Sequence, residues 1–510
     1  MYNKIKKTTS AVKYTLIFKT LSQCCGLIAT VLLVRALSEF DYGVYNLLYS
    51  VIGLIGTVLS LGIGDALLRY MPEYYNRGEF KIAHNLFKIS CVIRMVADVA
   101  ILGFILLLWQ QIAPFLKITE YKSYFMLFTL IIVLHQQRNF LEIVLSSYFL
   151  HKYSKPIALL FAIIKAIGYG FIIIYDKNLW HAIIIDLSAY LISFALLQIL
   201  YYNKIPFSSG TIDSITSNEK KRVGKYALFY NFNNTGVGVL SANFDNFIIV
   251  MLLNPVAVGA YSFYVQINLQ ISSLLPLIYL RDVIKPAFFA IGTSLSQKDK
   301  LTQFFQSLVK INLFFAVPCC CFLFIFGDYI SSIISNNKFV EYSSILCVMF
   351  FFSILNSLPI ATVAQLMEKA DIVLYSKIFA VYNIVADLIL IKFFGIWGAV
   401  FATGTATLSK NIFIWYFVRK EASFKGLELF MIKISLFWAA ISVFIYSLSK
   451  IIPSNITYQL LFGVSIFAIA FFIQFGCNYF RPDEKQIFKT VSDGNSKWIF
   501  LFKLLKMLPG

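Results

Sequence analysis

The chain has 510 residues, of which 59% are hydrophobic and only 14% charged, with a mean hydropathy of +0.76. Ordinary soluble domains are roughly 45–50% apolar and about 25% charged, so a soluble globular protein is excluded. The formal net charge of +19 fits the positive-inside bias of a polytopic membrane protein better than a nucleic-acid-binding surface.

Lys4, Lys6, Lys7 and Lys13 open the chain, but the first apolar run is span-length and has no small-residue cleavage site. A first transmembrane helix is therefore expected, rather than a secretory signal. Apolar runs follow at 14–36, 43–68, 86–108, 123–149, 156–175, 180–202, 226–252, 256–280, 308–327, 340–365, 372–394, 396–418, 430–449 and 457–478. Only helices or closed barrels satisfy their backbone in lipid, and these runs are too long for barrel strands. The expected fold is all-α, with about fourteen transmembrane helices.

With the N-terminus inside, cytoplasmic segments and the cytoplasmic ends of spans carry 32 of the 44 Lys and Arg, the outer side carries seven, and five lie deep within spans. This asymmetry predicts that both termini are cytoplasmic. The outer loops are short, none exceeding about fifteen residues, which leaves little room there for a catalytic domain.

Residues 203–225 form the longest polar break, with Pro206, Gly210 and the basic cluster Lys220, Lys221, Arg222 and Lys225. This reads as a cytoplasmic linker. On either side the sequence repeats. Gly43 and Tyr45 match Gly259 and Tyr261 at an offset of 216, and Lys152, Trp180, Ala182 and Ala189 match Lys369, Trp397, Ala399 and Ala406 at 217. The pattern predicts two pseudo-symmetric six-helix bundles, 1–202 and 226–425, related as a parallel repeat. Residues 426–480 add two helices. Residues 481–510 form a basic tail in which Trp498–Leu508 suits an interfacial helix.

Ionisable groups within spans are costly and are candidates for function by default. Arg94 and Asp98, and Arg138 and Glu142, are spaced i,i+4, so each pair can neutralise itself on one helix face or line a path. Lys19, Lys165, Asp186, Asp245, Asp387 and Lys410 have no local partner of opposite sign. Helical spacing sets Lys19 and Gln23 on one face of the first span. The seventh span combines Asn233, Asn234, Asn243 and Asp245, and the eighth holds Gln266 and Asn268. Lys19 and Asp245 fit a polar cavity or an interhelical ion pair, while Lys410 fits snorkelling towards the cytoplasmic end of its helix.

Motifs for catalysis are missing from the sequence. There is no Walker A loop, no dinucleotide fingerprint, and no metal-ligand spacing among the eight cysteines and four histidines. No cofactor, metal or nucleic acid is expected. The cysteines all lie in apolar runs and read as packing residues.

One group of motifs resembles a known family. Arg35-Ala36-Leu37, Asp41-Tyr42-Gly43-Val44-Tyr45, Leu61-Gly62-Ile63-Gly64 and Leu68-Arg69-Tyr70 with Pro72 are similar in order and spacing to the Wzx-type polysaccharide-repeat flippases of the multidrug/oligosaccharidyl-lipid/polysaccharide exporter superfamily. Val258-Gly259-Ala260-Tyr261 and Phe394-Gly395-Ile396-Trp397-Gly398-Ala399 extend the likeness to the second half. The resemblance implies a multi-pass protein of the bacterial plasma (inner) membrane. It implies a flippase, not an enzyme, that moves undecaprenyl-diphosphate-linked oligosaccharide to the outer leaflet by alternating access. A polysaccharide polymerase and a chain-length regulator are the partners such a role implies. Lys19 suits a diphosphate contact, whereas Asp245 departs from an all-cationic cavity and points to mixed charge or a proton or sodium site. The alternatives are a cation-coupled multidrug antiporter of the same superfamily and a membrane glycosyltransferase or polymerase.

Overall fold

The computed structural model describes residues 2–58, 60–148, 150–175, 177–205, 217–239, 241–279, 298–367, 369–449 and 456–476, with most of the side chains from residue 17 onward. The basic tail, Cys477 and residues 206–216 of the expected linker lie outside these residues, as do the side chains of Asn233 and Asn234. Among the described residues the chain is helical with no strand. Eight helices among the described residues are long and apolar enough to cross a membrane.

The first helices are α1 (Tyr2–Ala36), α2 (Glu39–Val58), α3 (Ile63–Arg77), α4 (Phe80–Leu107), α5 (Trp109–Phe115), α6 (Lys122–Ser147), α7 (His151–Tyr175) and α8 (Leu179–Lys204). Residues 217–225 of the expected linker are helical and open α9 (Ser217–Val239), which is followed by α10 (Ala242–Leu252), α11 (Pro255–Ser273) and α12 (Pro276–Tyr279). The remainder are α13 (Lys298–Ser335), α14 (Ser344–Ser357), α15 (Ile360–Leu366), α16 (Ala370–Tyr375), α17 (Ile378–Phe394), α18 (Ile396–Val418), α19 (Glu428–Ser449) and α20 (Ile456–Gly476).

Several runs that read as continuous spans are broken. The expected span 43–68 divides into α2 and α3 around Leu61 and Gly62, both left-handed at φ 47° and 60°. At Gly62 a side chain would overlap the Ala227 carbonyl of α9, so glycine is required on two counts. The expected span 226–252 breaks between α9 and α10, where Ser241 is extended at φ −108°, ψ 151°. The run 340–365 breaks at Leu358 and Pro359, because proline lacks the N–H and drives the preceding residue out of the α region. Hydropathy averages over these interruptions, so it reports apolar length and not helix continuity.

The chain forms two compact units: residues 1–263 with 383–399, and residues 264–382 with 400–510. In the first unit α1 packs along α7, and α6 and α8 pack together. Its aromatic core includes Phe87, Phe140, Tyr201 and Tyr74. The tyrosine-rich ends of α3 and α9 meet through a T-shaped Tyr70–Tyr226 pair with the Arg69 guanidinium over both rings. Beside them Glu73 bridges Arg77 at 2.7 Å and Arg222 at 3.4 Å. The carboxylate raises the pKa of the exposed Arg222 guanidinium. Ala182, Ala189 and Ala399, three of the repeat-matched alanines, are fully buried, as small residues at close helix contacts should be.

The second unit is built on α13, with Phe304, Phe305 and Phe314 buried against Val418, Ile434 and Trp438. Pro318 inside α13 cannot donate to the Phe314 carbonyl four residues before it. Gln474 of α20 donates to that carbonyl at 2.9 Å, and Trp438 of α19 donates to Gln474 at 2.5 Å. All are buried, so this relay fastens the last two helices to α13. Gln474→Leu strands the indole N–H and the carbonyl in apolar surroundings. A loss of about 2 kcal/mol is expected, read as a lower melting temperature in detergent. An unchanged melting temperature would show that the relay contributes nothing.

Candidate functional site

Two buried polar clusters stand out, both in the first unit. The first is built on Asp186 of α8. Tyr45 and Tyr49 of α2 donate to one of its oxygens at 2.8 and 2.5 Å. Tyr169 of α7 donates to the other at 2.5 Å. Lys165 Nζ lies 3.0 Å from the same carboxylate. The ammonium also sits over the rings of Tyr49, Phe161 and Tyr169. Lys165 and Asp186, without partners in the local sequence, are therefore partners of each other across adjacent helices. Asp186 is fully buried and its two oxygens accept three phenols and one ammonium.

The second cluster is built on Asp245 of α10. Tyr261 of α11 donates to Asp245 Oδ2 at 2.5 Å. Asn383 of α17 donates to Asp387 Oδ2 at 3.0 Å and, more weakly, to Asp245 Oδ1 at 3.4 Å. The shared Asn383 amide thus brings the two carboxylates together, and their like charges oppose each other. Asp245, Asn383 and Asp387 are all completely buried. Asp387 Oδ1 and Asn383 Oδ1 have no hydrogen-bond partner. Two adjacent buried carboxylates cannot both remain ionised without a shared proton or cation. The donor set is two carboxylates and an amide oxygen, which suits a proton or a hard monovalent cation. Among the described residues no group of three or more His, Cys, Asp or Glu is arranged to hold a metal ion.

The remaining candidates occupy different surroundings. Lys19 is exposed on α1 and Gln23 beside it is half-buried. Asn243 packs against Gly53 of α2, where a glycine Cβ would overlap its amide. Gln266 is half-buried. Asn268 is engaged by Ser353 at 2.9 Å and by Ser272 at 3.3 Å. Arg94 and Asp98, both buried on α4, attract each other electrostatically, and each also finds a partner on α6. Arg94 reaches Gln136 and stacks over Phe140, and Asp98 accepts from Gln137 at 3.2 Å. Arg138 and Glu142 do meet, at 3.8 Å, but Glu142 is held more closely by Lys155 at 2.8 Å. Lys410 of α18 reaches Asn356 at 3.5 Å.

Five residues of these clusters are not among the site candidates read from the sequence: Tyr45, Tyr49, Tyr169, Tyr261 and Asn383. Asn383 carried a usable signal, since it stands four residues before Asp387 on one helix face. Tyr261 carried another, as the repeat match of Tyr45. In the structure each is the seventh residue of its helix, α2 or α11, and each donates to a buried carboxylate.

Residues 9–292 match the family described as "Polysaccharide biosynthesis protein". The chain belongs to that family. Among solved structures it resembles a lipid II flippase, MurJ, in an inward closed conformation, with a TM-score of 0.66 and 14% identity. That match covers 90% of this chain and 98% of the other. It also resembles an inward-facing multidrug resistance MATE family transporter of the MOP superfamily, with a TM-score of 0.57, 15% identity, and coverage of 78% and 95%. A Vibrio cholerae MATE transporter matches at a TM-score of 0.50 and 13% identity, covering 83% of this chain and 98% of that one. No curated protein matches. At these identities the likeness concerns the fold: this family member has the MurJ/MATE-like architecture, and its long apolar helices make it a multi-pass membrane protein.

Proposed function

We propose that this protein is a flippase that carries undecaprenyl-diphosphate-linked oligosaccharide repeats from the cytoplasmic to the outer leaflet of a bacterial plasma membrane. It works by alternating access, with both termini cytoplasmic, and changes no covalent bond in its substrate. The family match over residues 9–292 is the observation that carries this reading, and the fold shared with a lipid II flippase supports it. Lys19, exposed on α1, attracts the diphosphate, with Gln23 beside it. Asn243 and Gln266 offer amides to sugar hydroxyls, and Asn233 and Asn234 stand on the same stretch of sequence. Asn268 is already bonded to two serines, so we give it a packing role. Asp245, Asn383 and Asp387 take up the cation or proton that couples transport to a gradient. A polymerase and a chain-length regulator act on the exported repeat.

Analysis of lipid-linked glycans in a deletion strain, with leaflet location probed by an impermeant lectin, tests this. Repeat units trapped on the cytoplasmic side with loss of surface polysaccharide are expected. Normal glycan export would overturn the flippase. The second reading, a cation-coupled multidrug antiporter, is favoured by the buried acidic pair and the MATE likeness. It predicts drug sensitivity with normal glycans in the same strain. Absence of the lipid-linked units altogether would indicate a synthetic enzyme. Lys19→Ala is expected to lower export at least about tenfold while leaving membrane insertion intact, because a hydrogen bond between an ammonium and a diphosphate is worth roughly 1.5–3 kcal/mol. Wild-type surface polysaccharide in that variant would remove Lys19 from the site.

A further inference from the structure

The repeat-matched tyrosines expose an asymmetry between the two buried acidic clusters. Tyr45 and Tyr261 occupy the same register in α2 and α11, and each donates to a buried carboxylate. The carboxylates come from non-equivalent helices, so the parallel lies in the tyrosine and the charge it serves. What surrounds each charge differs. The helices α7 and α17 correspond at the 217-residue offset. To the first cluster α7 contributes an ammonium, Lys165, 3.0 Å from Asp186. To the second α17 contributes another carboxylate, Asp387, and an amide. Around Asp186 both oxygens are engaged, whereas Asp387 Oδ1 and Asn383 Oδ1 are buried without partners.

We propose that Lys165 is a tethered counter-cation, and that the Asp186 cluster is a latent monovalent-cation site whose place the ammonium permanently fills. The four-carbon stem supplies at Asp186 the charge that only a free ion or proton supplies at Asp245 and Asp387. The groups facing this position are Tyr45 and Tyr49 from α2, Phe161 and Tyr169 from α7, and Tyr190 from α8. His135 and Arg138 of α6 lie further off, with Arg138 already committed to Glu142. With the ammonium removed, the phenol oxygens of Tyr45 and Tyr49, each 3.4 Å from it, and the Asp186 carboxylate remain around the vacated position, a donor set for a hard alkali ion. Cation dependence in the native protein is thereby confined to one cluster. This comparison rests on the cation role proposed above for Asp245 and Asp387, but the test reads the Asp186 cluster separately.

The experiment is thermal melting of the purified full-length protein in detergent. Na⁺ or Li⁺ is varied from about 1 to 300 mM against choline at constant ionic strength and pH, since a ligand that binds only the folded state raises Tm with concentration. Lys165→Met in an Asp387→Asn background is expected to show a Tm that rises with Na⁺ or Li⁺, and Asp387→Asn alone is expected to show none. Adding Asp186→Asn to the Lys165→Met protein is expected to abolish the rise and raise Tm in choline, because no unpaired charge then remains. Lys165→Arg is expected to melt like the parent at every salt concentration. If Lys165→Met is too unstable to purify, failure of Asp186→Asn to restore folding overturns the proposal, and restoration supports the counter-cation role. A Lys165→Met protein with no response to Na⁺ or Li⁺, or one whose response survives Asp186→Asn, overturns the latent site. Absence of a Na⁺ response in the native protein bears only on Asp245 and Asp387.

Discussion

Asp387→Asn is expected to reduce export of surface polysaccharide by about two orders of magnitude while leaving the protein folded. Asp245 and Asp387 are both fully buried and share Asn383 as a donor. Their proximity is unfavourable unless a proton or cation joins them. The amide keeps the shape and the hydrogen bonds but removes one of the two charges. A unit charge about 4 Å from a bound cation, at an effective dielectric near 20, is worth up to roughly 4 kcal/mol, a factor of some hundreds in affinity. Stability should move the other way. Relief of two like charges in a dry site is expected to hold or raise the melting temperature, as when buried charges are neutralised in other proteins. The measurement pairs surface polysaccharide in a complemented deletion strain with Tm of the purified variant. Full export by Asp387→Asn would show that the acidic pair is not the coupling site. A collapse of Tm would show that it is a structural one.

Gly43→Val is expected to be the most damaging substitution at a site with no charge. Gly43 and Gly259, matched by the repeat, stand at the fifth position of α2 and of α11. A Cβ on Gly43 would overlap the Pro255 carbonyl, and one on Gly259 would lie 3.1 Å from the Glu39 carbonyl and 3.3 Å from the Gly43 Cα. The two helices thus cross backbone to backbone. Nearby, Asn246 ties the same helices by donating to Ser50 at 2.8 Å and Ser262 at 2.9 Å, all buried. Overpacking typically costs about 1–3 kcal/mol, and the upper end applies where the clash is with backbone that no rotamer can relieve. Gly43→Val should lower Tm by several degrees and abolish export, Gly259→Ala should have a milder effect, and the double substitution should be non-additive because both methyls open one crossing. Normal Tm and export in Gly43→Val would mean that this crossing is dispensable.

The class of protein is legible without coordinates. Composition and unbroken apolar length leave only a helical membrane protein, and the Gly-x-Tyr repeat at 43–45 and 259–261 marks two matched helices, whose crossing only the structure shows. Spacing along the chain also pairs Arg138 with Glu142, because i,i+4 fixes two side chains on one face of any helix. The same rule sets Arg94 within electrostatic range of Asp98, but it does not give their hydrogen bonds. A shared face permits a contact, but α6 offers each of them a partner in Gln136 or Gln137. The pairing of Lys165 with Asp186, and of Asp245 with Asp387 through Asn383, is beyond local reading. These contacts depend on the rotation of each helix about its axis and on which helices become neighbours. Packing of many apolar side chains decides both, and no spacing along the chain encodes them. The breaks at Leu61–Gly62 and Ser241 belong to the same category. At Gly62 the backbone of α9 comes so close that no side chain fits, and an apolar run stops being one helix because of a segment more than 160 residues away in the chain.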